Sequence, residues 1–129
     1  MRTLRVGIAS YEQMKARTVA IARGEYRPAA DEPKVWFTST ESFARVLSDR
    51  NRALLATIAE SAPESLAQLA ELTGRKKSNL SRTLRTMERY GFVHLVRGVR
   101  GSVAPRVPYD RISLTLPLST PGRVGTEAA

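Results

Sequence analysis

The chain has 129 residues, 42% of them hydrophobic and 26% charged, with a formal net charge of +9 at pH 7. That size suits one globular domain with short extensions, and the absence of Cys excludes disulfides, thiolate metal sites and thiol nucleophiles together, in keeping with a reducing cytoplasm. No apolar run approaches the roughly 20 residues that span a bilayer, and residues 1–10 lack the basic-then-apolar layout of a signal peptide, so a soluble cytoplasmic protein with no membrane partner is expected.

At the start of the chain Leu4, Val6 and Ile8 alternate with Arg5 and Gly7, which predicts a short strand. Ser10 with Gln13 three residues on is a capping-box signal; it opens a helix through about Arg23, closed by Gly24, with Tyr11, Met14, Thr18 and Ile21 facing inward. Residues 26–33, with two prolines and two acids, read as a linker, and residues 34–37 as a second short strand. This strand-helix-strand unit, residues 1–38, is too small to be stable alone. It either packs on the main domain or serves dimerisation or partner binding.

Thr38 with Glu41 signals the cap of the next helix, where Phe43, Val46 and Leu47 lead on to Leu54, Leu55 and Ile58. Ser48 and Asp49 either break this stretch into two helices or sit within one bend. Pro63 ends it, and Ser65 starts the following helix. There Leu66, Leu69 and Leu72, with the small Ala67 and Ala70, form a stripe that another helix can approach closely. Gly74 suits the left-handed conformation that stops a helix. The turn is short enough to set the next helix steeply across the first, as in a helix-turn-helix.

That next helix runs from about Lys76 or Lys77 to Tyr90. At about 100° per residue, Leu80, Leu84 and Met87 share one face, while Asn79, Arg82, Thr86 and Arg89 lie opposite with Ser78 and Arg75 beside them. The outer face carries no carboxylate, because Glu88 falls nearer the apolar side. After Gly91 the period changes from helix to strand over residues 92–96. The glycines at 98 and 101 suit a tight reversal, and the return runs through residues 103–116, with Pro105 and Pro108 fitting an edge or a bulge. The whole predicts an α+β fold: a winged helix-turn-helix domain over residues 39–117, its hairpin wing 92–116 tipped by Arg97 and Arg100. Residues 118–129 lack periodicity and read as a disordered tail.

Charge is unevenly divided. Residues 75–111 carry ten Lys/Arg against two Asp/Glu, whereas residues 41–74 carry three against five. The excess therefore falls on the second helix of the pair and the strands after it, as on a surface that faces nucleic acid. An ordinary amphipathic helix with solvated cations is the bland alternative. A membrane-surface helix would have to expose Leu80, Leu84 and Met87, which the core needs. No GxSxG, HExxH, Walker loop or paired-carboxylate motif is present, so no enzyme, cofactor or metal is expected, and His94 stands alone in a strand. RNA would meet the same electrostatics, but the aromatics stand mostly at core-like positions, which disfavours base stacking.

Residues 41–117 resemble the MarR-like winged-helix predicted transcriptional regulators of prokaryotes. The resemblance lies in residues 49–58, in the helix pair ending Leu84-Arg85-Thr86-Met87-Glu88-Arg89-Tyr90-Gly91-Phe92-Val93, and above all in Val107-Pro108-Tyr109-Asp110-Arg111-Ile112. The N-terminal unit and the last of these stretches are similar to a small subgroup of DNA-binding proteins, some of which sit beside toxin genes as antitoxins. The resemblance implies a homodimer on a pseudo-palindromic operator in double-stranded DNA, with Ser78, Asn79, Ser81, Arg82 and Thr86 at base-reading positions of the recognition helix. Arg82 is expected on guanine, and Asn79 on adenine or a phosphate. Arg75, Lys76, Lys77, Arg85, Arg89, Arg97 and Arg100 are expected on phosphates. A repressor is one expectation; an antitoxin that also binds a toxin from a neighbouring gene is the other. The chain departs from the family pattern at Lys76, Lys77 and Arg111, which bears on sequence preference rather than fold.

Overall fold

The structure, a computed structural model, describes residues 2–118. It is a mixed α+β arrangement: β1 (Thr3–Ile8), α1 (Tyr11–Ala22), β2 (Val35–Phe37), α2 (Thr40–Val46), α3 (Asp49–Ser61), α4 (Leu66–Thr73), α5 (Lys77–Tyr90), β3 (His94–Arg97), β4 (Val103–Arg106) and β5 (Arg111–Thr115), with a 3-10 turn at Val99–Gly101. None of the described helices is long and apolar enough to cross a membrane.

The chain divides into two compact units, one of residues 2–3 with Ala44–Arg111, the other of Leu4–Phe43 with the described residues from Ile112. In the first, α3 to α5 surround a core of Leu54, Leu55, Ile58, Leu69, Leu80, Leu84, Met87, Phe92 and Val93. Burying such side chains is worth about 1.5–3 kcal/mol each before entropy is counted. Ser48 settles the helix boundary left open by the sequence: extended itself, it accepts from the Asn51 amide at 3.2 Å, so α2 ends and α3 begins there. Ser65 caps α4 through the Gln68 amide at 3.1 Å. Leu72, expected on the inward stripe, is 51% exposed, so Leu69 is the one fully buried leucine of α4.

β3 and β4 form an antiparallel ribbon in which His94 faces Arg106 and Arg97 faces Val103. β4 packs on α3 and α4, and Arg106 donates from Nη1 to the Pro63 carbonyl at 2.7 Å. The expected single return strand over 103–116 is therefore split. Pro105 and Pro108 lack the amide donors a continuous ladder needs, and the chain leaves the ribbon after Arg106 to form β5.

β5 joins the second unit, whose sheet has the order β2-β1-β5. β1 and β2 are parallel, with Val6 opposite Val35 and Gly7 opposite Trp36. Gly7 is a place where only glycine fits, since a Cβ there would lie 2.6 Å from the Trp36 ring. So the N-terminal strand-helix-strand takes its third strand from far along the sequence. Its core holds Leu4, Val6, Ala9 and Phe37, with Phe37 edge-on to Phe43 at 5.4 Å.

α1 starts as expected, with Ser10 and Gln13 forming a reciprocal capping box. Its inward face is not the expected one. Tyr11, Thr18 and Ile21 are exposed and Met14 is half-buried, while Gln13, Arg17 and Ala20 turn inward. The cause is Arg17: its guanidinium lies against the Trp36 and Tyr26 rings, 5.3 and 5.9 Å from their centres, and pairs with Glu32 at 3.2 Å. Glu32 also accepts from the Tyr26 hydroxyl and from the Ala29 amide. The expected linker is thus a pinned loop. The cap expected at Thr38 and Glu41 lies one residue on, where Ser39 and Ser42 bond reciprocally at 3.0 and 3.3 Å. Of the expected tail, residues 119–129 lie outside the described residues.

Candidate nucleic-acid interface

Gly74 closes α4 at φ 73°, a conformation that would strain any residue with a Cβ, and three residues later α5 begins at Lys77. α5 is anchored by Leu80, Leu84 and Met87, each 1% exposed or less. The opposite face is thereby forced outward. Ser78 and Arg82 are exposed there, with Asn79, Ser81 and Thr86 half-buried at its margins. Lys76, Lys77, Arg85 and Arg89 are exposed too. The N-cap residue Lys76 makes no side-chain capping bond, and no acid stands in the first turn. The positive end of the helix dipole and the cations therefore add rather than cancel.

Among the described residues the ion pairs are Arg17 with Glu32 and Arg52 with Asp49. Among these residues none of the cations of α5 or of the β3–β4 ribbon has a carboxylate partner. Glu88, the acid nearest to them in sequence, turns away and accepts from the Leu95 amide at 3.3 Å, tying the end of α5 to β3. Arg85 and Arg89 lie along the helix surface, donating at 3.3 Å to the hydroxyls of Ser81 and Thr86. At the ribbon tip Arg97 and Arg100 are exposed, with Arg100 held at φ 58°. His94 is exposed as well.

Arg75 behaves differently from the other cations. Its guanidinium turns inward and donates to Asn79 Oδ1 at 3.0 and 2.8 Å, to Asn51 Oδ1 at 3.2 Å and to Thr83 Oγ1 at 3.3 Å. Four of its five N–H groups are engaged, so it is a clamp between α3 and α5 rather than a free phosphate contact. Desolvation, and to a lesser degree the Arg50 guanidinium on α3, lowers its pKa from the ordinary arginine value. Sequence patterning missed Asn51 and Thr83 as its partners, since neither stands near Arg75 in sequence. Arg50 was missed as well, and it extends the positive surface onto α3.

A family model described as HVO_A0114 matches residues 46–114, more than half of the chain. The chain belongs to the HVO_A0114 family. The part that matches this family runs from the end of α2 into β5, so it contains α5, the ribbon and the cations that both carry. No curated protein and no solved structure matches the chain.

Proposed function

We propose that this member of the HVO_A0114 family is a sequence-specific double-stranded DNA-binding transcriptional regulator with a MarR-like winged helix-turn-helix. In this reading α4 and α5 are the helix-turn-helix and the β3–β4 ribbon is the wing. α5 enters the major groove, which admits a helix of this diameter, and the ribbon lies along the backbone. One observation carries the reading: the outward face of α5 and its N-cap present Lys76, Lys77, Arg82, Arg85 and Arg89 with no carboxylate partner among the described residues, held rigid by three buried side chains behind them. Cations left unpaired on a fixed helix match a regular polyanion. Arg82, exposed at mid-helix, is the guanine reader, and Ser78, Ser81 and Thr86 flank it. Lys76, Lys77, Arg85, Arg89, Arg97 and Arg100 hold phosphates.

The protein works as a homodimer on a two-fold site, since one helix reads only a few base pairs. Exposed apolar side chains on α1, with Tyr11 at 74%, Val19 at 39% and Ile21 at 36%, favour a protein contact in that unit. Selection of bound duplexes from a random pool at low salt tests the whole reading. An enriched site with two half-sites about one helical turn apart is the expected result; failure to enrich any duplex would refute it.

A further inference from the structure

Asn79 is the third residue of α5, on the face proposed to meet base edges. Its side-chain oxygen accepts two N–H groups from Arg75, at 3.0 and 2.8 Å. A guanidinium has donors only, so the amide can face Arg75 with its oxygen and in no other way. The orientation is also braced from behind. The same guanidinium holds Asn51 and Thr83, and the Asn51 amide nitrogen donates in turn to the Val46 carbonyl at 3.0 Å. Turning Asn79 over would place an NH2 against a cation and leave Arg75 without its best acceptor. The Asn79 amide nitrogen, by contrast, has no acceptor among the described residues and is not one of the buried unpartnered atoms, so it reaches solvent.

An asparagine recognises adenine by using both ends of its amide, the oxygen taking N6–H and the nitrogen giving to N7. With the oxygen already engaged, half of that code is missing. We infer that Arg75 is a positioning residue that turns Asn79 into a donor-only reader, which favours the paired acceptors O6 and N7 of guanine over an A·T pair, where adenine N7 stands beside a donor and thymine O4 beside a methyl. The inference rests on the DNA-binding reading of α5 and replaces the adenine expectation for Asn79. It also explains why an arginine at the head of the helix points away from the place where phosphates would lie.

The test compares duplex pools selected by the full-length wild type, Asn79→Ala, Arg75→Met and Arg75→Lys. The base pair whose preference Asn79→Ala flattens is the one that Asn79 reads. In the wild-type pool that pair is G·C, favoured about tenfold. Arg75→Met frees the oxygen and moves the preference at that pair alone toward A·T, by about tenfold. Arg75→Lys, which keeps one donor for the oxygen, retains G·C; a merely structural role for Arg75 would instead weaken every sequence alike. If A·T is enriched at the Asn79 pair in the wild type, or if Asn79→Ala lowers binding uniformly, the inference is overturned while the DNA-binding reading stands. If the wild type enriches nothing, both fall. Should Arg75→Met fail to fold, the wild-type and Asn79→Ala pools decide the matter.

Discussion

α5 and α1 are of similar length, 14 and 12 residues, and both begin and end where local sequence says they should, yet they are held by different forces. α5 buries Leu80, Leu84 and Met87 completely, and that stripe decides which way its polar side faces. α1 buries no residue; it is held by its capping box and by one cation wedged between two rings and a carboxylate. An apolar stripe dictates which way a helix faces from its own sequence. A polar network does so only after its partners, here Tyr26, Glu32 and Trp36, have been brought up by the fold.

The largest effect should come from the stripe of α5. Leu84→Ala is expected to lower unfolding stability by roughly 2–5 kcal/mol, because it opens a cavity at a fully buried position that its surroundings cannot fully collapse into. Urea denaturation measures it, and a loss below about 1 kcal/mol would erase the contrast with α1. Next comes the face that the stripe exposes. Arg82→Ala should weaken binding to the selected site by roughly 1–3 kcal/mol and random duplex much less, with folding unchanged. Equal losses on both duplexes, in anisotropy titrations, would make Arg82 a phosphate contact.

The same contrast explains what was legible in the sequence. The bounds of α5, its buried triad, and the stops at Gly74 and Gly91 follow from period and turn chemistry, which act within a few residues. The inward face of α1 did not, because Tyr11 and Ile21 are the more apolar side chains and only the position of Trp36 makes Arg17 the better one to cover. β5 was misassigned to the hairpin for a related reason. Its alternation is genuine, but alternation does not name the sheet a strand will join, and β1 is more than a hundred residues earlier. Within the candidate interface the exposed cations were visible as composition, whereas the inward turn of Arg75 depends on Asn51, 24 residues away.

Two smaller effects sharpen the comparison, one on each side. Arg100→Ala at the ribbon tip should leave base preference intact and reduce the slope of log affinity against log salt by about 1; a change of preferred sequence would show that the ribbon reads bases. In the other unit, burial raises the Glu32 pKa, but hydrogen bonds from Tyr26 and Arg17, the Arg17 charge and the Ala29 amide outweigh it and leave the carboxyl below its ordinary 4.5. A depressed carboxylate stabilises the fold fully above its unfolded value and ceases to do so as pH falls through the lower folded one. Acid titration should therefore move the Trp36 indole NMR signal below pH 4.5 while the Met87 methyl stays put, and Glu32→Gln should abolish that step.

The smallest expected effect is the most exacting check on α1. Ile21 is the residue that periodicity would place in a core, and it is 36% exposed. If α1 is indeed held by Arg17 and its cap, Ile21→Ser should change unfolding stability by no more than about 0.5 kcal/mol at concentrations where light scattering finds a single chain. Arg17→Met in the same background should cost more than Ile21→Ser, because it strips Glu32 and the Tyr26 and Trp36 rings of a shared partner. The reverse order would mean that α1 is seated by its apolar side after all, and the difference between the two helices would vanish. A loss on Ile21→Ser that grows with protein concentration has another meaning: the residue is covered by a second copy, and the exposed side of α1 is where two chains meet.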